Sequence, residues 1–206
     1  MTVDEPRVGQ ARAGPLQRLA KAVLLCAGLA IVAVTVWQLP VMDGPRTLWA
    51  LARMPIPTAS IVPVQGVAAG AIAPTFGASR SGNRRHHGID IFAKRGTPVR
   101  SATRGVVLSV RDSGIGGKQV WVIGPASERH YYAHLDAWAP GLERGDVLEA
   151  GQLLGQVGDT GNARGTPPHL HYSVYGDGGA LDPLPRLRAG TSNPASSPVS
   201  TDPPTR

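Results

Sequence analysis

The chain has 206 residues, 42% hydrophobic and 17% charged, which gives room for one domain with appendages and excludes global disorder. Aromatic residues make up only 5% against 26 glycines and 19 prolines, a balance that favours a turn-rich β domain over a helical bundle. The net charge of +7 fits polyanions, but the basic residues are scattered without interleaved aromatics, so no nucleic-acid partner is expected, whereas anionic wall polymer and anionic lipid are compatible.

Residues 1–18 are polar and carry Arg7, Arg12 and Arg18. Residues 19–39 (LAKAVLLCAGLAIVAVTVWQL) are almost purely apolar, and a bilayer core needs roughly 20 such residues as a helix. Lys21 can snorkel near one end, and Trp37 suits the interface at the other. The following Gln38-Leu39-Pro40-Val41-Met42 lacks the small residues of a cleavage site, so an uncleaved transmembrane signal anchor is expected. Positive charge ahead of the span places residues 1–18 in the cytoplasm and the rest of the chain outside, periplasmic or extracytoplasmic. Cys26, the single cysteine, excludes an intramolecular disulfide and reads as a small hydrophobe; Leu25 before it argues against lipidation.

Residues 40–60, with Pro45, Pro55 and Pro57, read as a linker, and residues 188–206 as a disordered Ser/Thr/Pro-rich tail. Residues 61–187 remain as the folded domain, close to the usual size for one. Short β-branched and aromatic runs at 105–110, 119–123, 129–134, 153–157 and 169–175 are punctuated by Gly and Pro. They predict a single all-β domain, a sheet or flattened barrel, with no sustained 3.6-residue period after the apolar span.

The six histidines fall in three short segments: His86-His87-Gly88-Ile89-Asp90, His130-Tyr131-Tyr132-Ala133-His134 and His169-Leu170-His171. A His and an Asp four apart, followed downstream by His-x-His, supply the nitrogen and oxygen donors that zinc takes, and three protein ligands leave a fourth position open for water. On an extended strand His169 and His171 share a face while Leu170 turns to the core. The same rule puts His130, Tyr132 and His134 together on one face of their strand. Spacing alone does not choose between His86 and His87.

These motifs, in this order, resemble the M23 family of zinc metallopeptidases, the lysostaphin- and LytM-type endopeptidases. The resemblance runs over about residues 73–183: Phe76-Gly77, HHGIDIFAKRGTPVRSATRGVV, YYAHL, GQLLGQVGDTG, PHLHY and Leu181-Asp182-Pro183. It implies a predominantly antiparallel β-sheet with a cleft along one face, Zn2+ as cofactor, and His86, Asp90 and His171 as its ligands. It also implies that His134 and His169 are catalytic histidines that do not bind the metal, one as base and the other as proton donor, with the order open. His87 and His130 fall outside the implied site. Two departures stand out: the link Thr160 to Pro168 is longer than usual and should alter the cleft rim, and Ser173 replaces a frequent glutamate.

The implied function is hydrolysis of peptide cross-links in bacterial peptidoglycan, with the particular bond and any regulatory protein partner left open. Three other classes compete. One is a catalytically inactive relative that activates another wall hydrolase. A biotinyl- or lipoyl-type carrier is a second, but Lys118 lacks a carrier's hairpin context. The third is a polyanion-binding surface protein, whose binding would survive metal removal.

Overall fold

The structure is a computed structural model that describes residues 14–80 and 84–191. The expected cytoplasmic segment up to residue 13 and the expected tail from residue 192 lie outside the described residues. The chain divides into two compact units, residues 1–42 and 43–206.

The first unit contains helix α1 (Pro15–Trp37). Pro15 occupies the first helical turn, where its missing N–H leaves no hydrogen bond unmade. The 23 residues span about 34 Å, none is buried within the protein, and the Thr35 hydroxyl donates to the Ile31 carbonyl at 2.9 Å. The helix is long and apolar enough to cross a membrane, a test that a signal sequence near an N-terminus also passes.

The second unit opens with helix α2 (Asp43–Arg53), in the stretch expected to be linker. Pro45 falls in its first turn, where proline is tolerated, and Asp43 and Arg53 sit at the ends that suit their charges. Leu51 is buried, and the Arg53 guanidinium lies 3.8 Å from the Trp49 ring centroid. With 11 residues the helix is too short to leave a sustained period in the sequence.

Among the described residues eleven strands follow: β1 (Ser79–Arg80), β2 (Arg84–Arg85), β3 (Ile89–Phe92), β4 (Pro98–Arg100), β5 (Gly105–Asp112), β6 (Lys118–Ile123), β7 (Arg129–Trp138), β8 (Val147–Leu148), β9 (Leu153–Val157), β10 (His169–Gly176) and β11 (Gly179–Leu181). β1 and β2 form a small ladder of their own. The other nine make one sheet with the path β11-β10-β7-β6-β5-β8, to which β3 adds on β10 and the β4–β9 pair on β7. Every pairing is antiparallel, as the family resemblance implied.

Alternation along the central strands sends Ile89, Ile91, Val120, Tyr132, Leu170 and Tyr172 to one side, where each is almost fully buried. The Ala102 N–H donates to the Tyr132 hydroxyl at 2.9 Å, so this large buried side chain keeps its polar end satisfied. Helix α3 (Leu184–Thr191) is the last described element and runs past the expected domain end at residue 187. Leu184 and Leu187 are its buried face, and Arg186 pairs with the buried Glu128 at 2.6 Å.

Candidate active site

The register of three strands builds the site. His171 on β10 lies opposite Asp90 on β3 and Ala133 on β7, so the three are neighbours across the sheet. Leu170, Ile91 and Tyr132 alternate to the core side, which turns His169, His171, Asp90 and Tyr131 to the other face. His86 enters from the turn before β3. Gly88 makes that approach possible: a Cβ there would lie 2.3 Å from Ser173 Oγ and 2.5 Å from the Tyr172 carbonyl.

Three atoms that could hold a metal ion meet here. His86 Nε2 is 2.9 Å from His171 Nδ1 and 3.2 Å from Asp90 Oδ1, and His171 Nδ1 is 3.1 Å from the same oxygen. Four donors at the zinc distance of about 2.0–2.1 Å have tetrahedral edges of roughly 3.3 Å, so the triangle is close to one face of that tetrahedron. His86 Nδ1 lies 2.8 Å from the Thr75 carbonyl. A carbonyl only accepts, so Nδ1 carries the hydrogen and Nε2 presents a lone pair. His171 Nε2 lies 2.9 Å from the Ser173 hydroxyl, a partner that leaves Nδ1 free to face inward as an acceptor. Two imidazole lone pairs and a carboxylate oxygen then converge, an arrangement that a cation satisfies and that no hydrogen bond among three acceptors can.

The second oxygen of Asp90 is bonded by Arg80 from β1. Burial by itself would raise the Asp90 pKa, but the adjoining His171 and His86 rings and the Arg80 guanidinium outweigh it and hold the carboxyl well below its ordinary range. Thr75 serves the site twice, through its carbonyl to His86 and through its hydroxyl, which accepts from the Asp90 N–H at 3.1 Å. Burial lowers the His171 pKa, against the pull of Asp90, and so favours the neutral ring that a metal needs.

Strict alternation fails for His134. Between Lys118 and Val120 on β6, β7 advances from Leu135 to Tyr132, so Ala133 and His134 stand opposite one residue. His134 takes the left-handed conformation, φ 62°, and this bulge turns its ring to the cleft face beside Ala133. His130 and Tyr132 stay on the core side, where the buried His130 shares a 2.8 Å hydrogen bond with the Tyr172 hydroxyl. The expected single face for His130, Tyr132 and His134 is therefore corrected: an inserted residue moves the last of them across the sheet. His134 packs edge-on to His169 with ring centroids 5.1 Å apart and lies 5.8 Å from His171. Its Nδ1 donates to the Thr160 carbonyl at 2.9 Å, and His169 Nδ1 donates to the Pro167 carbonyl at 2.9 Å. Both Nε2 atoms are left with lone pairs at the cleft, and His169 Nε2 is 3.9 Å from Asp90 Oδ1. Burial, with smaller contributions from the neighbouring His171 and His169, holds the His134 pKa down at about 4, so this ring is a neutral acceptor near neutral pH.

All five expected site residues thus line one cleft of about 470 Å³, with Tyr131 on one wall and Arg84, Arg85 and His87 at the rim. Asn162, Ala163 and Thr166 of the long link also line it, which places that departure at the rim as expected. The other departure, Ser173, is buried and supplies the hydroxyl on His171. Sequence reasoning missed Thr75, Arg80 and Thr160 as supports; only Thr160 lay within a recognised motif.

An antiparallel sheet that holds a His/Asp/His donor set beside two further cleft histidines is an arrangement of the metallopeptidase type. The chain belongs to peptidase family M23, whose model matches residues 84–183. It is 40% identical over 126 residues to the L-Ala–D-Glu endopeptidase of Bacillus subtilis, covering 56% of this chain and 39% of that protein. It is 34% identical over 110 residues to lysostaphin of Staphylococcus simulans, covering 50% of this chain and 22% of that protein. The solved catalytic domain of lysostaphin from Staphylococcus simulans superposes with a TM-score of 0.51 at 31% identity, covering 57% of this chain and 91% of that domain. The chain therefore matches less than half the length of the two full-length relatives but nearly all of the isolated catalytic domain.

Proposed function

We propose that this chain is a zinc-dependent endopeptidase that hydrolyses peptide cross-links of bacterial peptidoglycan. The observation that carries the reading is the convergence of three acceptor atoms, His86 Nε2, Asp90 Oδ1 and His171 Nδ1, in a cleft that two other histidine Nε2 atoms also face. Those three residues would hold the ion through two nitrogens and one carboxylate oxygen, with Asp90 kept ionised by Arg80. Zinc bound there supplies Lewis acidity toward a scissile carbonyl and acidifies a water molecule.

The chain's own residues do the rest. His134 and His169 each have Nδ1 fixed on a backbone carbonyl, so each offers Nε2 to the substrate side. One takes a proton from the attacking water. The other, protonated at Nε2 from solvent, stabilises the oxygen of the tetrahedral species and passes that proton to the departing amine, while the base returns its own proton to solvent. Both are more than nine-tenths buried, which strengthens these charge interactions. Donor set and acid–base pair are complete, which favours catalysis over a binding-only role.

Relatives that act on peptide bonds of the wall support the substrate class: the Bacillus subtilis protein is named an L-Ala–D-Glu endopeptidase. We assign α1 as a membrane anchor that leaves the peptidase domain on the extracytoplasmic side, where peptidoglycan lies. The test is metal analysis of the purified chain and of His171→Ala, with digestion of defined muropeptides before and after chelation. Stoichiometric zinc in the parent, its loss in the variant, and cleavage restored by added zinc are expected. Undiminished zinc in His171→Ala would overturn the ligand assignment.

A further inference from the structure

The face of the sheet that carries the cleft continues past it. Pairing sets Ser173 on β10 beside Tyr131 on β7, and Tyr131 beside Trp121 on β6. The Tyr131 and Trp121 rings stack with centroids 4.4 Å apart, and Tyr175 lies 5.6 Å from Trp121. At its other edge Tyr131 meets the His171 ring at 5.9 Å, so the aromatic group starts at the metal ligands. Beyond Trp121 lies a second, shallower depression of about 610 Å³, lined by Leu108, Ser109, Arg111, Trp121, Arg129 and Arg144. Its three arginines are exposed, and no carboxylate lines it.

We propose that this depression and its aromatic threshold are a docking surface for the glycan strand of peptidoglycan. The inference rests on the peptidase reading above and extends it to the polymer that carries the cleaved peptide. Trp121, Tyr131 and Tyr175 offer half-buried, pre-positioned ring faces and edges of the kind that pack against the apolar faces of sugar rings. Arg111, Arg129 and Arg144 supply planar guanidinium forks for the free carboxylates of the neighbouring stem peptides that project from such a strand. Continuity decides the occupant: Tyr131 lines the cleft and touches Trp121, which lines the depression, so a strand on the arginines hands its peptide to the histidines. A free peptide would fill the cleft and leave the second depression unused.

The test uses the full chain and insoluble peptidoglycan freed of accessory polymers. Co-sedimentation is measured with His134→Ala, to stop hydrolysis, with and without the triple change Arg111→Gln, Arg129→Gln and Arg144→Gln. Kinetics are measured with native His134 on the insoluble wall and on a soluble, sugar-free cross-linked peptide. The expected result is roughly tenfold weaker sedimentation in the arginine variant, with the salt dependence flattened. KM for the wall should rise by a similar factor while cleavage of the soluble peptide is unchanged. Trp121→Leu, which keeps an apolar side chain on β6, should weaken wall binding in the same direction. Sedimentation and wall digestion equal to the parent in the arginine variant would overturn the docking surface. Failure of the unaltered chain to cut the soluble peptide would instead count against the peptidase reading, and sedimentation would still decide the docking.

Discussion

Thr160 holds His134 in place without touching the cleft side of its ring. The Thr160 carbonyl accepts from His134 Nδ1 at 2.9 Å, while the Thr160 hydroxyl donates to the Leu135 carbonyl at 2.8 Å and accepts from the Lys118 N–H at 3.0 Å. Lys118 and Leu135 are the ladder partners at the edge of the bulge, so one hydroxyl closes the gap that the inserted residue opens.

Replacing that hydroxyl should therefore damage position before it damages the metal. Thr160→Val leaves a donor and an acceptor unpaired and should cost about 1–3 kcal/mol in urea unfolding. Its kcat should fall by roughly a hundredfold, because a small displacement of the base or acid is costly. Zinc content should not change. Thr160→Ser, which keeps the hydroxyl, should recover most of both losses; a serine variant as impaired as the valine would show that the methyl group, not the hydrogen bonds, matters.

The φ of 62° at His134 has its own consequence. Left-handed backbone is tolerated by Gly and Asn and is costly for β-branched residues. His134→Asn should fold with stability close to the parent, His134→Gly at least as well, and His134→Val should lose about 1–2 kcal/mol. None should hydrolyse peptide, and all should keep bound zinc. Equal stability across the three would show that the bulge relaxes freely and holds no strain.

Much of the site was legible in the sequence because its signals are local. His169 and His171 share a face by the period of two, and His86 and Asp90 flank a glycine at a spacing that the family register recognises. The face of His134 was not legible, because one inserted residue reverses alternation and leaves no trace in composition. Thr75 and Arg80 come from segments ahead of β3 that fold back over Asp90, a contact that only tertiary structure reveals. Helix α2 was hidden by Pro45, a residue that reads as a breaker unless its place in the first turn is known.

Gly88 offers a sharper test of how the ligands are supported. A methyl group there would collide with a side chain, Ser173 Oγ at 2.3 Å, and with backbone, the Tyr172 carbonyl at 2.5 Å. Gly88→Ala should lose about 1–3 kcal/mol of stability and bind zinc more weakly, by roughly tenfold in competition with a chromogenic chelator, because β3 and its Asp90 are pushed from β10. Adding Ser173→Gly relieves only the first collision, so the double variant should stay impaired; full rescue would show that the backbone contact is harmless.

His130 makes acid stability predictable with a definite sign. Burial first, and then the nearby positive charge of Arg186, lower its pKa from the ordinary 6.5 to about 4. Between those values the unfolded chain binds a proton that the folded chain refuses, so stability is complete above pH 6.5 and drains away as the pH falls toward 4. The shift corresponds to about 3 kcal/mol. His134 and His171 are lowered too, so the parent's curve is steeper than His130 alone would make it, and a difference measurement is needed to isolate one ring. Asp90 does not enter this window, because its contribution is lost only as the pH falls below the ordinary carboxylate value of 3.8. His130→Gln retains a polar partner for the Tyr172 hydroxyl and cannot take up the proton. In urea unfolding it should be less stable than the parent above pH 6.5, and the gap should narrow steadily as the pH approaches 4. A gap that stays constant across that range would mean His130 is protonated equally in the folded and unfolded chains, which its burial beside Tyr172 forbids.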